Sequence, residues 1–242
     1  MKALAARLLA PGRIQRFGTS RGLTNDPGWR VYAPLTMPLH VVKHPLVEDV
    51  LAGLRDKTTP PDVFRGLARR VSLLLIAEAT RDLTVAPVLV ETPLETTTGQ
   101  RIAGRVVAVP VLRAGLGMLD AFLELIPRAE VGYFGLERNE QTAVPRRYYE
   151  KVPKDLAEAV VFLLDPMLAT GGSATMAVDG LRGLGAHEVR LLSIVAAPEG
   201  VAHLAAHSPE TSVFTAALDR GLDGHKYILP GLGDFGDRLF GT

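Results

Sequence analysis

Residues 160–173 read VVFLLDPMLATGGS. The first five are apolar without a break, the pattern of a strand buried on both faces of a parallel sheet. Asp165 falls where that strand ends, at the edge where open α/β sheets bind ligands. Gly171 and Gly172 can take positive φ and let backbone N–H groups approach an anion with no Cβ in the way. Ser173 stands where it would cap the next helix, whose N-terminal end favours a phosphate. That helix shows an apolar face at Ala174, Ala177, Val178, Leu181 and Leu184, and Gly185 predicts its stop. By itself the double glycine fits two readings, a tight turn or a phosphate cradle. There is no GxGxxG, and no Lys follows the glycines as a P-loop requires.

A second glycine turn follows a second buried strand. VVAVPVL, residues 106–112, runs into Arg113-Ala114-Gly115-Leu116-Gly117. Parallel strands all end on the same side of a sheet, so the two turns predict one shared anion site. Arg113 reads as a structural ion-pair partner or as a phosphate ligand, and its place between a buried strand and two glycines suits the ligand role. VGYFGL, residues 131–136, predicts a further strand ending near Arg138. The polar segment 137–154 holds Arg138, Arg146, Arg147, Lys151 and Lys154 and is too long for a tight turn; such loops often act as lids. The tail GHKYILPGLGDFGDRLFGT, residues 224–242, is rich in glycine, yet Tyr227, Ile228, Leu229, Leu232, Phe235, Leu239 and Phe240 predict that it packs. Backbone freed by glycine can present N–H and C=O groups to the edge of a small planar ligand.

Four separated motifs resemble one family. DPMLATGGS, residues 165–173, resembles the phosphoribosyl-diphosphate (PRPP) loop of the type I phosphoribosyltransferases, in the form used by the uracil phosphoribosyltransferases. The wider superfamily usually has two adjacent acids here; Pro166 in the second place is a departure that the uracil branch shares. LRAGLG resembles the loop that holds pyrophosphate, and Arg138 matches a PRPP-contacting arginine on a mobile hairpin. YILPGLGDFGDRLFGT resembles the uracil-binding tail, and LRDKTTPPDVFRGLARR with EATRDL carries the same signature. The resemblance implies that Arg113, Arg138 and Asp165 are catalytic. It implies that these three, with Pro166, Met167, Leu168, Ala169, Thr170, Gly171, Gly172, Ser173 and Asp234, bind PRPP, and that Ile228, Gly233, Asp234 and Phe235 line uracil. Many members have Ala where this chain has Phe235. If only its backbone touches uracil the change is mild; a ring pointing inward would shrink the pocket.

The chain has 242 residues, 47% of them hydrophobic, ample for one large domain with an appendage. No run is long enough to span a bilayer. With no cysteine, disulfides and thiolate zinc sites are excluded, which suits a cytoplasmic protein. The overall charge of +1 is uneven: residues 1–36 carry +5, which leaves −4 on the remaining 206. That balance makes no case for a nucleic-acid-binding body. The arginine-rich start is also what a transit peptide looks like. It could equally be a disordered arm, or follow a start assigned too early, with Met37 the true start. The expectation is a dispensable extension over 1–38 and a phosphoribosyltransferase domain over 39–242.

Between these motifs the periodicity predicts a short strand and a helix over 39–56, with Leu46, Val47, Val50, Leu51 and Leu54 on one face. The longest helix is predicted over 61–81, opened by Thr59-Pro60-Pro61-Asp62 and striped by Val63, Phe64, Leu67, Val71, Leu74 and Leu75. Arg55, Asp56, Arg69 and Arg70 read as a solvated face or subunit contact. Residues 82–105 predict antiparallel strands at the edge of the main sheet. VRLLSIVAAPEG is another buried strand, followed by a helix over 199–207 and the strand SVFTAAL. The six histidines form no metal pattern beyond the i, i+4 pair His203 and His207, which lacks an HExxH glutamate.

The fold expected is therefore α/β: a mainly parallel sheet flanked by helices, type I phosphoribosyltransferase-like, with a C-terminal base-binding hood and an N-terminal extension. The implied reaction is uracil + PRPP giving UMP + diphosphate, with Mg²⁺ held mainly through PRPP and no metal site of the protein's own. The implied partners are those small molecules, GTP as an effector and further copies of the chain, without nucleic acid or membrane. No general base for uracil N1 stands out. The alternatives are a phosphoribosyltransferase for another base, a UMP- or RNA-binding regulator on the same fold, and a nucleotide-sensing module without turnover.

Overall fold

The structure is a computed structural model and describes residues 37–138 and 145–242. The expectations for residues 1–36 and for the middle of the 137–154 segment lie outside the described residues. In chain order the elements are β1 (Leu39–Val41), α1 (Pro45–Arg55), α2 (Pro61–Ala79), β2 (Val85–Glu91), β3 (Thr96–Ile102) and β4 (Arg105–Leu112). Next come α3 (Leu116–Leu125), β5 (Glu130–Val131), β6 (Tyr133–Arg138), β7 (Pro145–Lys151), β8 (Ala159–Leu164), β9 (Met167–Leu168) and α4 (Gly172–Gly183). The chain closes with β10 (Glu188–Ala196), α5 (Pro198–His207), β11 (Ser212–Leu218), β12 (Gly221–Leu222), β13 (Ile228–Leu229) and α6 (Phe235–Phe240).

The main sheet runs β1-β11-β10-β8-β4-β6-β7, with β5 beside β4 and β9 beside β10. All of its pairings are parallel except β6–β7. The apolar run of the opening motif is β8, hydrogen-bonded to β10 on one side and β4 on the other. Its side chains alternate between two cores, which is why the run shows no polar break. Phe162 and Leu164, with Ala108 and Leu192, pack under α1, α2, α3 and α6. Val161 and Leu163, with Val107, Val109 and Leu191, pack under α4 and α5. The sheet thus separates two apolar layers, and every parallel strand opens toward the same rim.

Several expectations are corrected. Residues 85–102 do form an antiparallel hairpin, but β2 and β3 pair with each other and not with the main sheet. Leu46 and Val63 point outward, 56% and 48% exposed, at the first turns of α1 and α2. Ser173 does not cap α4. Gly171 occupies the N-cap position at φ +84°, and Gly172 and Ser173 are the first helical residues. The turn needs a left-handed residue there, so its conformation rather than a side-chain oxygen sets the helix start. Gly185, at φ +93°, ends α4 as expected.

Arg55 is not a solvated residue. Its guanidinium meets both carboxylate oxygens of Asp219, at 2.6 and 2.9 Å, and the Gly231 carbonyl at 2.7 Å. The Asp219 side chain is only 5% exposed and also accepts from the Gly231 N–H at 2.9 Å. Arg65 donates to the Leu239 carbonyl at 2.9 Å, and Arg238 donates to the carbonyls of Leu232 (2.7 Å) and Asp56 (2.5 Å). Three arginines therefore clip the glycine-rich tail onto α1 and α2, and it packs as its apolar residues predict.

Candidate active site

At the rim, the β4 and β8 ends come within contact distance of each other. Gly115 makes this possible: a Cβ there would press into the Leu164 carbonyl and sit 2.7 Å from the backbone N and O of Val111. The turn is closed by Gly115 N–H donating to Val111 O at 2.8 Å and Leu116 N–H to Arg113 O at 3.1 Å. The Leu112–Arg113 peptide is cis.

The 165–171 loop is braced from behind. Asp165 Oδ1 accepts from Met167 N–H at 3.3 Å, while its carbonyl accepts from the Ser193 hydroxyl at 2.6 Å. The Pro166 carbonyl takes the N–H groups of Ile194 and Val195 on β10. Gly200, on the first turn of α5, has no room for a Cβ against Ala169 and Leu168, whose carbonyl would be 2.8 Å away. His203, one turn later, packs on Gly171, where an added Cβ would lie 3.0 Å from the histidine Cβ. Burial lowers the His203 pKa, helped by the neighbouring His207, whose ring lies 4.3 Å away. The loop delivers the first turn of α4 to the rim, where N–H groups have no partner within the helix.

A cavity of about 440 Å³ opens at this rim. Arg113 and Ala114 wall one side, and Asp165 with residues 167–171 and Ser173 wall another. The tail supplies Ile228, Gly233, Asp234 and Phe235. The structure thus brings together Arg113, Asp165, Met167, Leu168, Ala169, Thr170, Gly171, Ser173 and all four tail residues. It does not bring Pro166 or Gly172 to the cavity surface. Arg138 ends β6, opposite Pro145 in the β6–β7 ladder, so its backbone sits at the end of that hairpin. Arg113 is 61% exposed; its guanidinium lies 4.0 Å from the Asp237 carboxylate and 5.7 Å from the centre of the Phe240 ring. Asp234 caps α6, accepting from Asp237 N–H at 2.9 Å.

The arrangement is an arginine-bearing turn, the start of a helix and a glycine-rich tail facing one cavity. A family model described as uracil phosphoribosyltransferase matches residues 41–242. The chain belongs to that family. Uracil phosphoribosyltransferases from Streptococcus agalactiae serotype III (strain NEM316) and Streptococcus pyogenes serotype M1 are each 48% identical to it over 203 residues, 84% of this chain and 97% of theirs. Among solved structures, the AQ2163 protein from Aquifex aeolicus superposes with a TM-score of 0.81 at 32% identity, covering 84% of this chain and 98% of that one.

Beyond the residues that the uracil phosphoribosyltransferase motifs carry, the cavity is lined by Val111, Leu136, Glu137, Ala174, His225 and Lys226. Lys226 sits at φ +70° in a turn held by Asp223, whose side chain accepts from the N–H groups of His225 and Tyr227 at 2.8 and 2.9 Å. The signal was present as Asp223-Gly224, a turn pair, but a turn sequence does not say what the turn faces.

Proposed function

We propose that the chain transfers the 5-phosphoribosyl group of PRPP to uracil, giving UMP and diphosphate. The observation that carries this reading is the single cavity shared by the 113–115 turn, the 165–173 loop and the C-terminal tail. Displacing diphosphate leaves an electron-poor, oxocarbenium-like ribose carbon. The work of the protein is then positioning and charge stabilisation. Backbone N–H groups of residues 169–171 and Ser173 hold the 5-phosphate at the start of α4. Asp165 accepts hydrogen bonds from the ribose hydroxyls. Arg113 and Arg138 take up the negative charge of the departing diphosphate. Backbone groups around Ile228, Gly233 and Phe235 pair with the uracil edge, and Asp234 lies on the PRPP side.

Asp165 and Asp234 line the cavity, and carboxylates are the ligand class of the hard cation Mg²⁺. These two would hold it together with oxygens of the substrate, and it would supply neutralisation of diphosphate charge. GTP as an effector rests on the family resemblance alone and is tested by UMP formation with and without it. The functional domain is proposed as 39–242, with 1–38 dispensable, and the cytoplasm as its location. Among the described residues no helix is long and apolar enough to cross a membrane. A homo-oligomer is supported by the β2–β3 hairpin, which leaves Val85, Leu89, Leu94 and Ile102 exposed at 47–96%. Light scattering of a Leu89→Ser/Leu94→Ser variant against wild type tests that role.

The deciding experiment is a UMP-formation assay with uracil, other bases and PRPP, comparing the full chain with one starting at Met37. Turnover with uracil by both is expected. No UMP from either, or preference for a purine or orotate, overturns the reading.

A further inference from the structure

Phe235 faces two ways. The residue is among those that line the cavity, yet it is only 1% exposed, and its side chain is part of the apolar core. The ring meets Phe64 of α2 edge-on, with centroids 5.3 Å apart and planes at 62°. On the other side it meets α3: a Cβ on Gly117 would lie 3.0 Å from Phe235 Cε1 and 2.9 Å from Leu239 Cδ2. Gly117 is four residues beyond Arg113, on the first turn of the helix that the 113–115 turn leads into. The ring that stands where the family usually has Ala is therefore packed between α2 and α3.

The six-residue α6 is too short to hold itself in place. Its position depends on the side chains that it buries, chiefly Phe235 and Leu239. Resting on the reaction proposed above, we infer that Phe235 is a positioning residue for the base. Its ring, wedged between Phe64 and Gly117, sets how deep the backbone of residues 233–236 sits beside the base. It also keys that backbone to the helix behind the 113–115 turn. Recognition by backbone groups tolerates little displacement, because a shift near 1 Å from a distant substitution is enough to cost roughly 100-fold in rate.

The test is steady-state UMP formation with uracil and PRPP varied separately. Phe235→Ala should raise KM for uracil at least tenfold and leave KM for PRPP within threefold. Phe235→Leu, which refills most of the space, should bring the uracil KM back to within threefold of wild type. Gly117→Ala should raise the uracil KM at least fivefold in the wild-type background and by a smaller factor when added to Phe235→Ala, because one of the two side chains it presses on is gone and only Leu239 remains. If Phe235→Ala does not fold, Gly117→Ala decides: an unchanged uracil KM overturns the inference. So does an uracil KM within twofold of wild type in a folded Phe235→Ala, or an equal rise in both KM values. A wild-type chain that makes no UMP sinks the proposed reaction instead. Equilibrium binding of UMP then reads the same seam without turnover, with at least tenfold weaker binding by Phe235→Ala expected and unchanged binding overturning the inference.

Discussion

Arg113 shows how one side chain can belong to two parts of the site. Its guanidinium lies beside Asp237 and Phe240 of the tail. The pair is exposed, so it contributes little to stability and leaves the arginine available to a stronger anion. If Arg113 stabilises leaving-group charge, Arg113→Ala should lower kcat/KM for UMP formation by about 100-fold. A loss under threefold would remove it from the mechanism. His40 and His203 give a second prediction. Burial lowers both pKa values below the ordinary 6.5; for His203 the nearby His207 acts in the same sense, while for His40 Glu78 and Asp82 oppose and Arg190 assists. Protons then bind the unfolded chain first, so stability should be full above about pH 7 and fall as pH drops below 6.5 toward the folded values. Urea melts at pH 7.5 and 5.5 should show this fall. A shallower fall in His203→Gln would assign part of it to the residue that packs on Gly171.

The two loops are built by the elements beneath them. Gly171 combines a left-handed backbone with a side-chain position already occupied by Gly200 O, 2.7 Å from where a Cβ would be, and by His203. Gly171→Ala must therefore distort the 168–171 loop, and KM for PRPP should rise by tenfold or more while a thermal melt shows a folded protein. An unchanged KM would separate the loop from phosphate binding. Much of this scale was legible in the sequence. The apolar run of β8, the acid at its end, the glycine turn and the second turn after β4 are local patterns, and parallel topology brings them to one rim. What was not legible depends on partners far along the chain. Arg55 and Asp219 are 164 residues apart, and no local pattern distinguishes a clipped arginine from a solvated one. The richness of residues 85–102 in Thr and Val identifies antiparallel strands but not whether their edge finds the main sheet. The Phe235 ring could point either way until Phe64 and the bare face of Gly117 were placed beside it.

At the scale of the whole molecule, the sheet divides the protein into an apolar layer under α1, α2, α3 and α6 and another under α4 and α5. The helix start proposed to face the phosphate belongs to the second layer, and the tail proposed to face the base belongs to the first. A nucleotide lying across the rim would therefore add a further tie between two halves that are joined by the sheet and by the Glu199–Leu222 contact of α5 with β12. Hydrogen exchange should register this asymmetry: inorganic phosphate alone should slow amides at the start of α4, whereas UMP should also slow those of residues 233–238. Protection confined to one layer with UMP bound would mean that the ligand hangs from a single wall. Protection in both would make the bound product a cross-brace, and occupancy of the rim a control on how cooperatively the whole chain unfolds.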